Sequence, residues 1–124
     1  MVFPIISAAI TMLFALAVAV QVNDPDPGRW MMIYGVAGVL SAWVVARGSA
    51  PLLPAVFVGL VALVMALAVG RGVVGRVAFS EMFQSWEMES STIEAAREAT
   101  GLLIVAAWMT VLSVQAWLVR RPQP

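Results

Sequence analysis

Residues 21–30 of the chain read QVNDPDPGRW, and they interrupt an apolar stretch that otherwise runs from Val2 to Ala46. A helix needs roughly 20 apolar residues to cross a ~30 Å hydrocarbon core, and each side of the interruption supplies a segment of about that length. Asp26 is a favourable residue for a helix N-cap, and Pro27 suits the first helical position. The stretch therefore predicts a tight turn between two membrane-spanning helices.

The composition indicates a membrane setting for the whole chain. Its 124 residues are 62% hydrophobic and 11% charged, whereas soluble domains are about 45–50% apolar and about 25% charged. Backbone groups in lipid must be satisfied within each segment, so the apolar segments are helices. We predict an all-α fold, a four-helix transmembrane bundle forming a single domain over residues 1–124. The predicted helices cover about 2–21, 27–47, 51–70 and 92–119.

The residue types that are missing exclude several kinds of chemistry. The chain has neither cysteine nor histidine, which excludes disulfides, the usual zinc sites and nucleophile pairs that depend on histidine. The net charge is zero, and no basic cluster exceeds Arg120-Arg121. We therefore expect the lipid bilayer as the surroundings, no nucleic-acid partner, no cofactor and no catalytic residue.

The first apolar segment has an alternative interpretation as a signal peptide, because Ala17-Val18-Ala19 resembles a cleavage site. A signal peptide is expected to begin with a basic region, and no lysine or arginine precedes this segment. We predict that the segment is retained as the first transmembrane helix.

The long connection between the third and fourth spans carries an amphipathic pattern over about residues 75–89. Its apolar residues suit one helical face, and they are Val77, Phe79, Met82, Phe83 and Trp86. This pattern predicts a short amphipathic helix that lies in the membrane interface. An ordered loop that caps the bundle is the alternative.

Four spans put both termini on one membrane face and the 21–29 turn with residues 70–100 on the other, here called the acidic face. The acidic face has all seven carboxylates and four of the seven arginines, so its side-chain charge is −3. Counts of basic residues differ little between the faces, so the positive-inside rule decides little. The Arg120-Arg121 pair favours cytoplasmic termini in the cell membrane.

The tryptophans and the tyrosine lie near the predicted ends of the spans. Trp30, Tyr34 and Trp86 fall near the acidic face, and Trp43 and Trp117 fall near the face that carries the termini. This distribution is typical of the aromatic belts that mark both membrane interfaces.

The start of the fourth helix predicts a polar cluster together with the 21–26 turn. Residues three and four apart share a helix face, so Glu94, Arg97 and Glu98 form one stripe at the depth of the turn. We predict a binding cluster of seven residues: Gln21, Asn23, Asp24, Asp26, Glu94, Arg97 and Glu98. The carboxylates would suit a hard metal cation, with Asp24, Asp26, Glu94 and Glu98 as the candidate ligands. The arginine would suit a lipid head group instead, and a partner protein is the third option.

Other interpretations stay open. The aspartates and prolines are ordinary turn residues, and Arg97 could simply pair with Asp24 or Asp26 and lock the turn. The chain could be an assembly subunit that contacts other membrane proteins or a second copy of itself. Its interfaces would then be the small-residue strips, Gly38-xxx-Ala42 and Ala62-xxx-Ala66-xxx-Gly70. A membrane-embedded enzyme that modifies lipids through paired carboxylates is a further alternative.

Two short motifs resemble the transmembrane protein 220 family. The first is the turn Gln21-Val-Asn-Asp-Pro-Asp26, followed by Trp30 and Tyr34, and the second is Glu94, Arg97-Glu98 and Gly101-Leu102. In that family a Q-x-N-D-P-D turn ends the first helix, and an R-E-x-x-G-L pattern begins the last. The resemblance implies four short helices, a retained first helix, and a turn and helix start that act together. It implies no biochemical activity.

Overall fold

The structure is a computed structural model that describes residues 2–83 and 91–124. It contains four long helices: α1 (Val2–Val20), α2 (Pro27–Arg47), α3 (Leu52–Gly70) and α4 (Ser91–Arg120). Each is long and apolar enough to cross a membrane, and these described ranges contain no strand. The predicted all-α, four-helix transmembrane bundle is confirmed.

The turn between α1 and α2 is held by its own polar groups. A short 3-10 helix covers Gln21–Asn23, and the Asp24 carboxylate accepts a hydrogen bond of 2.9 Å from the backbone N–H of Asp26. Asp26 holds the N-cap position of α2, but its side chain makes no capping hydrogen bond. Its carboxylate lies 3.6 Å from the Arg29 guanidinium instead. The predicted cap is therefore correct in position and wrong in its side-chain contact, because Arg29, three residues further on, draws the carboxylate away.

The helices pack as two antiparallel pairs, α1 with α2 and α3 with α4. Gly38 lets α1 approach α2, since a Cβ there would lie 3.4 Å from Phe14. Gly59 lets α4 approach α3 more closely still, with its Cβ position 3.0 Å from Met109. Ala62 and Ala66 are buried along the same face of α3. Small residues are typical of close helix contacts in lipid, and these residues make such contacts within the bundle.

Polar side chains join the two pairs. The Trp108 indole N–H on α4 donates to the Ser41 hydroxyl on α2 at 2.9 Å. The Gln115 amide donates to the carbonyl of Gly48 at 2.9 Å. Gly48 ends α2 in the left-handed region, with φ +81°, a conformation that favours glycine. These bonds hold α4 against the C-terminal half of α2.

The predicted interfacial helix over about 75–89 is not confirmed. The described part of the segment has turns through residues 71–76 and a 3-10 helix over Phe79–Phe83. Gly75 has φ +76°, which interrupts any helix there. The Glu81 carboxylate accepts the N–H of Ala78 at 2.9 Å and closes the short turn. Residues 84–90, with Trp86, lie outside the described residues.

Tryptophans and arginines meet at the face that carries the termini. Trp43 and Trp117 are half exposed, as expected for an aromatic belt. The Arg47 guanidinium lies 5.8 Å from the ring centre of Trp43, and the Arg121 guanidinium lies 3.4 Å from that of Trp117. Such cation–π contacts keep each guanidinium beside an interfacial ring.

Candidate functional site

The 21–26 turn, the start of α2 and the start of α4 enclose a pocket of about 560 Å³ at the acidic face. We call it the polar pocket. Its walls are Val20, Gln21, Asn23, Asp24, Pro25, Trp30, Tyr34, Glu94, Arg97 and Glu98. Six of the seven residues in the predicted polar cluster are among them. The pocket is therefore built by two segments of the chain, residues 20–34 and 94–98, that lie about 60 residues apart.

The exception is Asp26. Its side chain is 68% exposed and faces Arg29, and it is not among the lining residues. The backbone N–H of Asp26 bonds to the Asp24 carboxylate, so the two aspartates of the turn take different directions. Asp24 lines the pocket, and Asp26 faces solvent.

Arg97 is anchored by the connection between α3 and α4. Its Nε donates to the carbonyl of Met82 at 2.6 Å. Thr100, one turn further on, brings its hydroxyl to within 3.6 Å of the Met82 sulfur. The ion pair that the structure describes at the turn joins Asp26 to Arg29 and does not include Arg97. The arginine that lines the pocket is thus held from its α3–α4 side.

The described lining residues give the pocket a negative charge. Asp24, Glu94 and Glu98 line it together with Arg97. Glu98 is half-buried and lies within electrostatic range of Glu94, of both turn aspartates and of Arg29. Among the lining residues that the structure describes, three carboxylates and one guanidinium leave an excess of negative charge.

The four candidate metal ligands do not come together. Within residues 2–83 and 91–124, no group of three or more aspartate, glutamate, histidine or cysteine side chains is close enough to hold a metal ion. Asp24 and Asp26 point in different directions, which removes Asp26 from the set, and the three carboxylates that line the pocket are themselves too far apart to hold one ion. The arrangement suits a larger polar group better than a bare divalent cation, which needs about six oxygen ligands or more.

The pocket also contains aromatic residues that the sequence suggested would lie in a belt. Trp30 is 2% exposed and Tyr34 is 8% exposed, so both lie inside the bundle, and both line the pocket. The Arg29 guanidinium lies 4.7 Å from the ring centre of Trp30. Tyr34 stacks on Phe14, with ring centres 6.3 Å apart. Spacing alone gave no signal for this, because lipid-facing and core-facing aromatic residues look alike in a transmembrane sequence.

Gly101 explains how Tyr34 reaches the pocket. A Cβ at position 101 would overlap the Tyr34 hydroxyl, so only glycine leaves room for the ring. Among the described residues, the hydroxyl has no hydrogen-bond partner within 3.5 Å. Gly101 follows the Arg97-Glu98 pair by three residues, which is the sequence signal that connects the tyrosine to the site.

The comparison with known families matches both chain segments that build this pocket. Residues 13–114 match the family model described as "Transmembrane family 220, helix". The match includes the 21–26 turn, Tyr34 and the Glu94–Gly101 helix start. No solved structure matches the chain. A family match over 102 of 124 residues, on four helices that can span a membrane, leads to one conclusion: the chain is a multi-pass membrane protein that belongs to transmembrane family 220.

Proposed function

We propose that this protein binds a polar head group in the polar pocket and does so without catalysing a reaction. The observation that carries the proposal is the gathering of six polar side chains from the turn and from α4 around one cavity of about 560 Å³. Cavities of roughly 300–1,000 Å³ are the usual size of small-ligand sites. The cavity opens at the membrane face, where head groups of lipids are the most concentrated polar molecules.

The lining supports recognition of a group that is large compared with a metal ion. Gln21 and Asn23 offer amides that both donate and accept hydrogen bonds. Asp24 and Glu98 offer acceptors, and Arg97 offers a donor. A site with carboxylates, a guanidinium and two amides can orient a ligand that itself carries more than one polar group.

Thermal unfolding in detergent tests this proposal. The purified protein is titrated with dioleoyl phospholipids that differ only in head group: choline, ethanolamine, glycerol and serine. We expect at least one head group to shift the unfolding midpoint more than the others, because a ligand that binds only the folded state stabilises it.

The variant Glu98→Gln and the control Glu81→Gln decide whether the pocket is responsible. Both changes remove one negative charge and keep the size and the acceptor oxygen, but Glu98 lines the pocket and Glu81 does not. A head-group effect that changes in Glu98→Gln, in either direction, and persists in Glu81→Gln supports the proposal. Equal behaviour of the two variants would contradict it.

We also propose that the termini lie in the cytoplasm of the cell and that the pocket opens on the opposite side of the cell membrane. Arg47, Arg120 and Arg121 carry the positive charge of the terminal face, and basic residues near span ends favour the cytoplasmic side. The acidic face has a side-chain charge of −3.

A further inference from the structure

We infer that the polar pocket takes a primary ammonium group that lies beside a phosphate, the chemistry of an ethanolamine head group. This inference rests on the proposed function and names the class of ligand. It starts from two independent observations, the charges of the lining and one tyrosine hydroxyl that has no hydrogen-bond partner among the described residues.

The charges select against an anion and in favour of a cation with hydrogen-bond donors. Asp24, Glu94 and Glu98 outnumber Arg97 among the described lining residues, so a purely anionic group would meet net repulsion. A primary ammonium has three N–H donors and no acceptor, as in a lysine side chain. The carboxylates of the lining can accept from such donors, and they need not converge on one point as the ligands of a metal ion must.

The hydroxyl belongs to Tyr34. The side chain lines the pocket, is 8% exposed and, within the described parts of the chain, has no hydrogen-bond partner. The ring is packed inside the bundle, whereas the hydroxyl oxygen is not one of the fully buried polar atoms, so a ligand in the cavity can reach it. Gly101 provides the space that brings the hydroxyl to this position. A ligand with N–H donors or phosphate oxygens supplies the missing partner.

The aromatic residues favour a primary over a quaternary ammonium. A quaternary group cannot donate hydrogen bonds and binds through the faces of aromatic rings. Trp30 is the larger ring of the pocket, but it is 2% exposed and Arg29 already lies 4.7 Å from its centre. Arg29 lies over one face of that ring and the remainder is buried, so the carboxylates remain as the recognition elements.

The phosphate has a partner of its own. Arg97 lines the same cavity as the carboxylates, and guanidinium groups pair with phosphate through charge-assisted hydrogen bonds. A head group with an ammonium two carbons from its phosphate ester therefore matches a lining in which both charges are present.

Native mass spectrometry of the full-length protein in detergent tests the inference. The protein is mixed with equimolar dioleoyl phosphatidylethanolamine, phosphatidylcholine and phosphatidylglycerol, which share their acyl chains. We expect bound phosphatidylethanolamine to exceed each of the others by about tenfold, since one hydrogen bond to a charged group contributes about that factor. Glu98→Gln and Tyr34→Phe should each reduce the preference, and Glu81→Gln should keep it.

The outcomes separate the two proposals. A preference for phosphatidylglycerol or phosphatidylcholine that depends on Glu98 would overturn the inference and leave the proposed function standing. Head-group binding that ignores Glu98, or lipid adducts that form equally with all three head groups, would overturn both. The wild-type ratios alone decide the inference if a variant fails to fold.

Soluble O-phosphoethanolamine identifies the source of the head group. Its displacement of bound phosphatidylethanolamine supports recognition of the head group in a lipid. A protein adduct with the soluble compound and none with the lipid supports the same chemistry with a free ligand.

Discussion

Replacing Gly101 by alanine tests the contact that positions Tyr34. The added Cβ would overlap the tyrosine hydroxyl and lie 3.2 Å from the ring carbon that bears it. The ring cannot move freely, because it is 8% exposed and stacks on Phe14. Overpacking of this kind costs about 1–3 kcal/mol, and alanine regains about 1 kcal/mol of helix propensity over glycine. We expect a net loss of up to about 2 kcal/mol in the free energy of unfolding.

A double-mutant cycle isolates that contact. In a Tyr34→Phe background the overlapping oxygen is gone and only the 3.2 Å approach to the ring carbon remains, so Gly101→Ala should cost much less than in the wild type. The coupling between the two changes should then be at least about 1 kcal/mol. Gly35→Ala is the control, since its Cβ would meet nothing closer than 4.0 Å and adjacent helix residues do not face each other. It should stabilise both backgrounds equally.

Reversible unfolding with sodium dodecyl sulfate in mixed micelles, followed by circular dichroism, gives these free energies. Effects of Gly101→Ala and Tyr34→Phe that add to within about 0.5 kcal/mol would refute the reasoning. The hydroxyl would then not occupy the space above Gly101.

Three further predictions concern the bundle and its orientation. Ser41→Ala leaves the Trp108 indole N–H without its acceptor and should lower the free energy of unfolding by about 0.6–1.7 kcal/mol; Ser113→Ala, which loses only a bond within its own helix, should change it less. Gly70→Leu should destabilise the monomer at every protein concentration, because a Cβ at Gly70 already contacts Ala99 at 3.6 Å, and a purely concentration-dependent loss would point to an interface between copies. A C-terminal green fluorescent protein fusion should fluoresce and an alkaline phosphatase fusion should stay inactive in bacteria, and the reverse pattern would contradict cytoplasmic termini.

The four-helix fold was predictable because lipid imposes strict rules on a sequence. Apolar runs of sufficient length and polar turns between them mark each span. The sequence does not show which side of a helix faces its neighbours, since lipid is as apolar as the core. Trp30 and Tyr34 show the consequence: position near a membrane surface suggested a belt, and packing puts both rings inside the bundle.

The candidate site was predictable where helical spacing decides the geometry. Glu94, Arg97 and Glu98 line the pocket together, as residues three and four apart on a helix do. The turn is harder, because a single hydrogen bond between the Asp24 carboxylate and the Asp26 N–H sends the two carboxylates in different directions. Such a bond depends on backbone angles that no residue spacing specifies.

The packing of helices in two pairs has a consequence for how the pocket forms. The α1–α2 pair supplies Gln21, Asp24 and Tyr34, and the α3–α4 pair supplies Glu98 and Arg97. Neither pair alone has a complete site. A chain cut between α2 and α3 would therefore give two fragments whose reassembly creates the pocket. A ligand bound there would contact both fragments and stabilise their association.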